Sequence, residues 1–439
     1  MLTQEENDLL TRVGRGTPMG DLIREYWIPA FMSSELSGPD SDPLRIRLLG
    51  ENLIAFQSTW GKIGLVANNC PHRGASLFYG RNEDEGIRCV YHGWKFDTDG
   101  WCVDMPAEPP GSQFKNEIRL RSYPCRVRNG VVWTYMGPRE SPPQLPDIEP
   151  NMVENQETQV WTALRECNWV QAMEGDIDTS HLAILHLGGI QAEEMEPGTF
   201  DYYTVRDRQP RYRVTDTEYG TMYGAFRPTD DDQDYWRIAQ YLFPFYTLIP
   251  TGRLGQQVLV RAWVPMDDEH TMFWSLSVPS TRLRAASQTK PGRNGEPFPG
   301  TSGSPQFLPN STDWLGRWRL ASNASNDYMI DRDVQRNGSF TGIDSIHLQD
   351  QAITESMGGV IDRTEENLAS SDAMIARTRR RMIRAAIALR EGSPAPAVDK
   401  PELYRQRSGG VILAKGADWI ESTKKLREAF VRHTELAGD

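Results

Sequence analysis

The stretch "NNCPHRGASLFYG", residues 68–80, is followed by "CVYHGW", residues 89–94, and together they decide the fold of the first half of the chain. Each stretch places one cysteine close to one histidine, Cys70 with His72 and Cys89 with His92. Two thiolates and two imidazoles fit one structural zinc ion, or a [2Fe–2S] cluster with both cysteines on one iron and both histidines on the other. Because zinc loops usually pair like ligands, the spacing favours the cluster. A purely structural role for these residues is the remaining alternative.

The composition is that of a globular protein whose partner is a small molecule or another protein. The chain has 439 residues, 38% hydrophobic and 25% charged, which is enough for two or three domains. The net charge of -12 disfavours nucleic acid and anionic membranes. The polar N-terminal stretch lacks an apolar core of signal-peptide length, so we expect no signal peptide, and no apolar run approaches about 20 residues. An odd set of five cysteines argues against a disulfide framework. We therefore expect a cytoplasmic protein.

Short β-type and helical patterns predict an α+β fold. Residues 1–43 carry helical patterns, and residues 44–140 carry short β-branched or aromatic segments separated by turns, which are typical of a small antiparallel β domain. Both Cys/His pairs fall in predicted loops of that domain. The proline-rich "PRESPPQLPDIEP", residues 138–150, reads as a linker.

A second domain is predicted over residues 155–439, with an antiparallel sheet flanked by helices. Its predicted strands include "FDYYTV" at 200–205, and a helical region runs from about 312 to 390. Residues 284–312 are rich in Gly, Pro and Ser and are predicted to form a long surface loop.

A second group of candidate metal ligands lies in "CNWVQAMEGDIDTSHLAILH", residues 167–186, which we interpret as one helix. At about 100° per residue, Asp178, His181 and His186 would face one side of it. A lone histidine is more often a core residue than a ligand. Two histidines beside a carboxylate, in a chain that already carries a redox-cluster pattern, instead indicate the two-His, one-carboxylate iron(II) site of non-haem oxygenases.

These motifs resemble those of the Rieske non-haem iron oxygenases. "CPHRGASL" and "CVYHGWKFD" are similar to their Rieske signature, and "DIDTSHLAILH" contains their D-x-x-H-x-x-x-x-H motif. The resemblance implies that Cys70 and Cys89 bind one iron of a [2Fe–2S] cluster, that His72 and His92 bind the other, and that His181 and His186 bind a mononuclear Fe(II). Segments such as "GTPMGDLIREYWIPA" and "FPFYTLIP" resemble the phthalate dioxygenase branch, which also contains aryl-ether O-demethylases.

The same resemblance implies two further roles for carboxylates. In "IHLQDQAITESMGG", residues 346–359, Asp350 matches the third iron ligand; the rival donors are His347, Glu355 and Asp333. Asp178 matches the family's aspartate that hydrogen-bonds to the first iron-binding histidine and to a Rieske histidine of a neighbouring subunit. This arrangement implies a homotrimer or a dimer of trimers.

The resemblance implies a terminal oxygenase that receives electrons from a separate NAD(P)H-dependent reductase carrying flavin and an iron–sulfur centre. The expected substrate is an aromatic carboxylate such as a phthalate, converted to a cis-dihydrodiol; O-demethylation of a methoxylated aromatic acid is the alternative. A Rieske electron-transfer protein without oxygenase activity is an alternative of another class. Arg227 and Arg237 are candidate clamps for a substrate carboxylate, because guanidinium binds carboxylate bidentately. Candidate aromatic pocket residues are Phe226, Tyr241, Phe243, Phe245 and Tyr246.

Overall fold

The computed structural model describes residues 1–153, 158–256, 258–278, 300–301 and 303–429. The chain begins with two short helices, α1 (Gln4–Thr11) and α2 (Pro18–Arg24). Each is capped by a threonine hydroxyl, since Thr3 accepts a hydrogen bond from the N–H of Glu6 and Thr17 accepts one from the N–H of Gly20. These caps satisfy N–H groups that the first turn of a helix leaves unpaired.

Three small antiparallel sheets follow. Their strands are β1 (Trp27–Met32), β2 (Leu44–Leu48), β3 (Glu51–Gln57), β4 (Ile63–Ala67), β5 (Arg81–Glu83), β6 (Gly86–Arg88), β7 (Lys95–Asp97), β8 (Cys102–Asp104), β9 (Cys125–Arg128) and β10 (Val131–Tyr135). The strand orders are β2–β3–β4, β5–β6–β7–β8 and β1–β10–β9. The predicted helical segment 1–43 thus also contains a strand. One Cys/His loop precedes β5, and the other joins β6 to β7.

The second half of the chain is built on a larger antiparallel sheet. Its strands are β11 (Gln159–Arg165), β12 (Arg211–Thr217), β13 (Gly220–Pro228), β14 (Gln233–Leu242), β15 (Tyr246–Leu248), β16 (Val258–Pro265), β17 (Thr271–Val278) and β18 (Gly409–Ala414). In the described residues the order is β11–β17–β16–β15–β14–β13–β12, and β18 pairs with the first half of β14. The predicted α+β fold is confirmed.

Helices cover this sheet and carry part of the site. They are α3 (Glu149–Met152), α4 (Trp169–Glu174), α5 (Phe200–Arg206), α6 (Arg332–Asn337), α7 (Ile346–Ser356), α8 (Ala373–Arg390) and α9 (Trp419–Arg427). The buried Gln171 of α4 fixes the end of α7, because its side-chain amide donates to the carbonyls of Thr354 at 3.1 Å and Gly358 at 2.7 Å. No helix in the described part of the chain has the length and hydropathy needed to cross a membrane.

The prediction of a strand at "FDYYTV" is wrong, because these residues form α5. Thr199 caps the helix by accepting from the N–H of Tyr202, and Phe200 stacks on Tyr235 of β14 with ring centroids 4.7 Å apart. Aromatic and β-branched residues raise strand propensity, but propensity is weaker than a cap combined with packing on a sheet.

The prediction of one helix over residues 167–186 is also wrong. Only α4 is α-helical, and after a turn a single 3-10 turn covers His181–Ala183. The carboxylate of Asp178 accepts hydrogen bonds from the N–H of Ser180 at 2.7 Å and its hydroxyl at 2.5 Å. A side chain that takes a backbone N–H in this way competes with the helical hydrogen bond.

The predicted loop at 284–312 lies partly outside the described residues, which omit 284–299 and 302. Residues 303–312 contain no helix, and they pair with the rest of the chain through an isolated bridge between Phe307 and Leu320. The domain boundaries proposed from the sequence, 44–140 and 155–439, stay predictions.

Candidate active site

Three side chains that are far apart in the sequence meet beside the larger sheet. The donor atoms of His181, His186 and Asp350 all lie within 4.8 Å of one another. The Asp350 Oδ1 atom is 3.1 Å from Nε2 of His186 and 3.6 Å from Nε2 of His181. The turn at His181–Ala183 lets the two histidines approach the same carboxylate, because it brings their imidazole rings to a centroid distance of 5.0 Å. Two imidazoles and one carboxylate form the donor set of non-haem iron(II) sites, and these residues fit that metal.

The outward-facing nitrogen of each imidazole has its own acceptor. His186 Nδ1 is 2.7 Å from Oε1 of Gln349. The amide nitrogen of Gln349 donates to the carbonyls of Ile343 at 2.9 Å and Gly300 at 2.8 Å, so its oxygen must be the group that faces His186. His186 therefore donates from Nδ1, and Nε2 is the nitrogen that faces Asp350 and would bind a metal. An outer partner of this kind fixes both the tautomer and the ring orientation of a ligand.

His181 is held in the same way by Asp178, whose Oδ2 lies 3.4 Å from His181 Nδ1. Burial alone would raise the pKa of Asp178, but the hydrogen bond and charge of His181, together with Ser180, outweigh it and lower the pKa. Burial likewise opposes the low pKa of Asp350, which the charges and hydrogen bond of His186, with His181 and Arg165, hold below its usual range. Both carboxylates are therefore ionised at neutral pH.

The rival donors to Asp350 do not join the two histidines. His347 packs on the rings of Trp161 and Phe273, with centroids 4.9 Å and 5.0 Å away. Glu355 accepts from the N–H of Glu166 at 2.9 Å and from the amide of Gln351 at 2.8 Å. Asp333 is exposed and pairs with Arg336. Among these candidates, only Asp350 joins both histidines in the described residues.

The three ligands lie in the wall of a cavity of about 1160 Å³. Among the described residues, the same wall contains Asp176, Asp178, Tyr223, Arg237, Arg261 and His347. Burial, together with the cations of Arg165 and Arg261, lowers the pKa of His347 well below that of a free imidazole, so this side chain is neutral. The cavity is large enough for an aromatic molecule and has charged groups beside the ligand cluster.

Of the predicted substrate residues, the cavity wall contains Arg237 but neither Arg227 nor Phe245. The end of α5 covers Arg227, whose Nε donates to the carbonyl of Asp207 at 2.6 Å. Phe245 follows a cis peptide bond and packs in the main core against Tyr246. The aromatic candidates Tyr241, Phe243 and Tyr246 are core residues in the same cluster, and Phe226 stacks on Trp236.

The two Cys/His loops have the same backbone hydrogen-bond pattern. In the first, Cys70 N–H donates to Ala75 O at 2.8 Å and Gly74 N–H donates to Cys70 O at 2.9 Å. In the second, the corresponding bonds from Cys89 and Gly93 are both 2.9 Å. Gly74 and Gly93 adopt φ of 77° and 78°, which residues with a β-carbon rarely do. The loops are thus matched halves of one site.

The four predicted cluster ligands converge between these loops. Cys70 and Cys89 are buried next to each other, and the rings of His72 and His92 lie 4.4 Å apart nearer the surface. Burial, followed by the neighbouring Cys89, raises the pKa of Cys70 to about 11. Two adjacent thiolates therefore need a cation between them, and two thiols opposite two imidazoles fit a [2Fe–2S] cluster with Rieske ligation.

Two family models match the chain: "Rieske [2Fe-2S] domain" over residues 26–124 and "LigXa C-terminal domain like" over residues 134–437. The chain belongs to the Rieske non-haem iron oxygenases. The chain is 46% identical to the 3-chlorobenzoate-3,4-dioxygenase oxygenase subunit of Comamonas testosteroni, across 98% of this chain and 100% of the relative. It is 35% identical to the phthalate 4,5-dioxygenase oxygenase subunit of Pseudomonas putida, across 95% and 94%. These relatives confirm the phthalate dioxygenase branch.

A solved structure of dicamba monooxygenase bound to dicamba has the same fold. The TM-score is 0.55 at 16% identity, with 84% of this chain and 99% of that chain covered. As a Rieske oxygenase, the chain is an oxidoreductase with a [2Fe–2S] cluster and a mononuclear iron as cofactors, and a separate electron-transfer protein supplies its electrons.

Gln349 is a functional residue that the sequence does not predict. This residue precedes Asp350 in the chain, and nothing in the sequence pattern distinguishes it from the neighbouring Gln351. Its importance follows from the position of His186, which the sequence does not specify.

Proposed function

We propose that this Rieske oxygenase cis-dihydroxylates the ring of an aromatic carboxylate. The observation that carries the proposal is that Arg237 shares one cavity with His181, His186 and Asp350. Arg237 is only 8% exposed, and its Nε donates to the hydroxyl of Thr179 at 2.9 Å, which fixes the guanidinium plane. The terminal nitrogens are then the groups that would bind a carboxylate bidentately.

The roles of the ligands follow from the donor sets. His181, His186 and Asp350 would hold the mononuclear iron, while Cys70, Cys89, His72 and His92 would hold the cluster. When bound, the iron supplies dioxygen binding and activation, and the cluster supplies electrons one at a time. Gln349 keeps a proton on the outer nitrogen of His186, and Arg237 orients the aromatic ring by its carboxylate. Ring dihydroxylation adds both atoms of O₂ to adjacent carbons and consumes two electrons from the reductase and two protons.

We assign Asp178 to the electron route between subunits. Its carboxylate contacts His181 and keeps a side-chain exposure of 19%, so a second histidine could reach it. Both cluster histidines lie near the surface of the first domain, and the route requires one of them to contact Asp178 of a neighbouring chain. A head-to-tail ring of three subunits would bring one chain's cluster to another's Asp178. We further propose that the electron donor is an NAD(P)H-dependent reductase with flavin and an iron–sulfur centre.

The substrate class is supported by the cavity charge and by the relatives. 3-Chlorobenzoate and phthalate, named for the two relatives, are both aromatic carboxylates. O-demethylation of a methoxylated acid would use the same residues and yields formaldehyde instead of a diol. An electron carrier without oxygenase activity would need only the two irons of the cluster, whereas the oxygenase needs about three irons per chain.

The proposal is tested by oxygen-dependent turnover of matched acids and amides. Purified protein with iron at both centres and a surrogate reductase is given benzoate, 3-chlorobenzoate, phthalate, methoxybenzoates and the corresponding benzamides. We expect a dihydrodiol from at least one acid and little product from its amide. Equal turnover of acid and amide would refute the role of Arg237, and formaldehyde from a methoxybenzoate without any diol would make the protein a demethylase.

A further inference from the structure

The turn that carries Asp178 and His181 is tied to the large sheet by the carboxylate of Asp176. Its Oδ2 accepts hydrogen bonds from the hydroxyl of Thr247 at 2.6 Å and from Nε1 of Trp263 at 2.7 Å. Its Oδ1 accepts from the guanidinium of Arg261. Asp176 is 8% exposed, and its donors come from two neighbouring strands, β15 and β16.

The groups around the Asp176 carboxylate are all hydrogen-bond donors. Thr247 and Trp263 are almost fully buried, and the hydroxyl of Thr247 also accepts from Trp263 Nε1 at 3.1 Å. All three partners donate, so only a group that accepts at both oxygens satisfies them. An amide at this position would turn one acceptor into a donor and face a donor already present, which is costly in a buried site.

A second contact holds the other end of the same segment. Thr179 accepts from Nε of Arg237 on β14. Residues 176–179 are therefore anchored at both ends to the sheet, with Asp178 between the anchors and His181 two residues beyond. The positions of these two side chains consequently depend on the sheet rather than on a helix.

We propose that Asp176 is the positioning residue of the mononuclear iron site. It binds no metal itself, because it lies outside the group of three donor side chains, but it fixes the turn from which His181 binds iron and from which Asp178 contacts that histidine. This inference rests on the proposed assignment of His181, His186 and Asp350 as ligands. Asp176 has a second effect on the cavity, because its negative charge pairs with the positive charge of Arg261 in the cavity wall.

The test compares Asp176→Asn with a second carboxylate variant, Asp267→Asn, whose side chain is partly buried at 16% exposure. Asp267 also accepts several hydrogen bonds, from Arg47 at 2.9 Å and from His270 Nδ1 at 2.8 Å, but it lies at the turn between β16 and β17 outside the cavity wall. Protein with an intact cluster and an empty mononuclear site is titrated anaerobically with Fe(II). We expect the Asp176→Asn variant to bind Fe(II) about tenfold or more weakly, as for loss of an outer partner of a ligand, while Asp267→Asn matches the wild type.

Steady-state kinetics separate positioning from simple loss of stability. In iron-saturated Asp176→Asn protein, kcat should fall while KM for an aromatic acid stays level or decreases, because the released Arg261 adds a cation to the cavity. Thr247→Val removes one of the three donors and should give a smaller loss of iron affinity. Wild-type iron affinity in Asp176→Asn, or an equal loss in both Asn variants, would overturn the proposal. If the wild type itself binds no Fe(II) beyond the cluster, the ligand assignment fails instead.

Discussion

The amide of Gln349 gives the sharpest quantitative prediction about the iron site. Gln349→Met keeps the length of the side chain but removes the acceptor for His186 Nδ1 and the donor to the carbonyls of Ile343 and Gly300. Each buried polar group left without a partner costs about 1–3 kcal/mol. For a metal ligand, loss of such an outer partner lowers metal affinity by about 10- to 100-fold. We expect the affinity of the mononuclear site for Fe(II) to fall by that factor.

The matched control for this prediction is Gln351→Met. Gln351 is equally buried on the same helix, and its amide donates to Glu355 at 2.8 Å and not to a proposed iron ligand. Anaerobic Fe(II) titration against a competing chelator measures the affinity of the mononuclear site. The visible absorption of the Rieske cluster measures the concentration of folded protein in the same sample. We expect only Gln349→Met to lose affinity. Equal affinities in the two variants would refute the reasoning that the His186 hydrogen bond tunes the site.

Three further predictions concern electron transfer, substrate binding and pH. Asp178→Asn protein saturated with Fe(II) should re-reduce its iron site more slowly than iron-saturated wild type in single-turnover experiments; a normal rate would exclude Asp178 from the route. Arg237→Met should raise KM for an aromatic acid by about 10- to 150-fold, from a charged hydrogen-bond loss of about 1.5–3 kcal/mol, whereas Arg227→Met, behind the cavity wall, should leave KM unchanged. The hydrogen bond that His270 donates to Asp267 raises the pKa of His270, so this pair should stabilise the fold below about pH 6.5 and lose its contribution as pH rises through the folded-state pKa. Urea unfolding should then show a stability difference between the wild type and His270→Asn that shrinks with rising pH, and a constant difference would contradict the assignment.

Much of the two metal centres is predictable because their ligands are close in sequence. The loops carrying Cys70 with His72, and Cys89 with His92, each fit within a few residues, and a turn with a glycine at positive φ is their usual context. His181 and His186 are likewise neighbours in the chain. Asp350 is far along the sequence, and its assignment depended on the resemblance to the family.

The partners that orient these ligands could not be predicted from the sequence. Asp176 meets Thr247 and Trp263 only because β15 and β16 pair in a particular register, and periodicity does not encode the register of distant strands. The prediction of a helix over residues 167–186 was wrong for a local reason. The Asp178 side chain accepts a hydrogen bond from a backbone N–H that would otherwise bond within a helix. Arg227 and Arg237 lie on the adjacent strands β13 and β14, and the position of α5 leaves Arg227 covered and Arg237 in the cavity.

The central claim is that this Rieske oxygenase adds both atoms of O₂ to the ring of an aromatic acid. The most direct measurement is mass spectrometry of the product formed from 3-chlorobenzoate under ¹⁸O₂, with protein loaded at both iron centres and a surrogate reductase. We predict a cis-dihydrodiol, or the catechol that follows from loss of its substituent, with both hydroxyl oxygens labelled. A product with one label or none, or reductant oxidation without any ring product from the aromatic acids tested, would contradict the account.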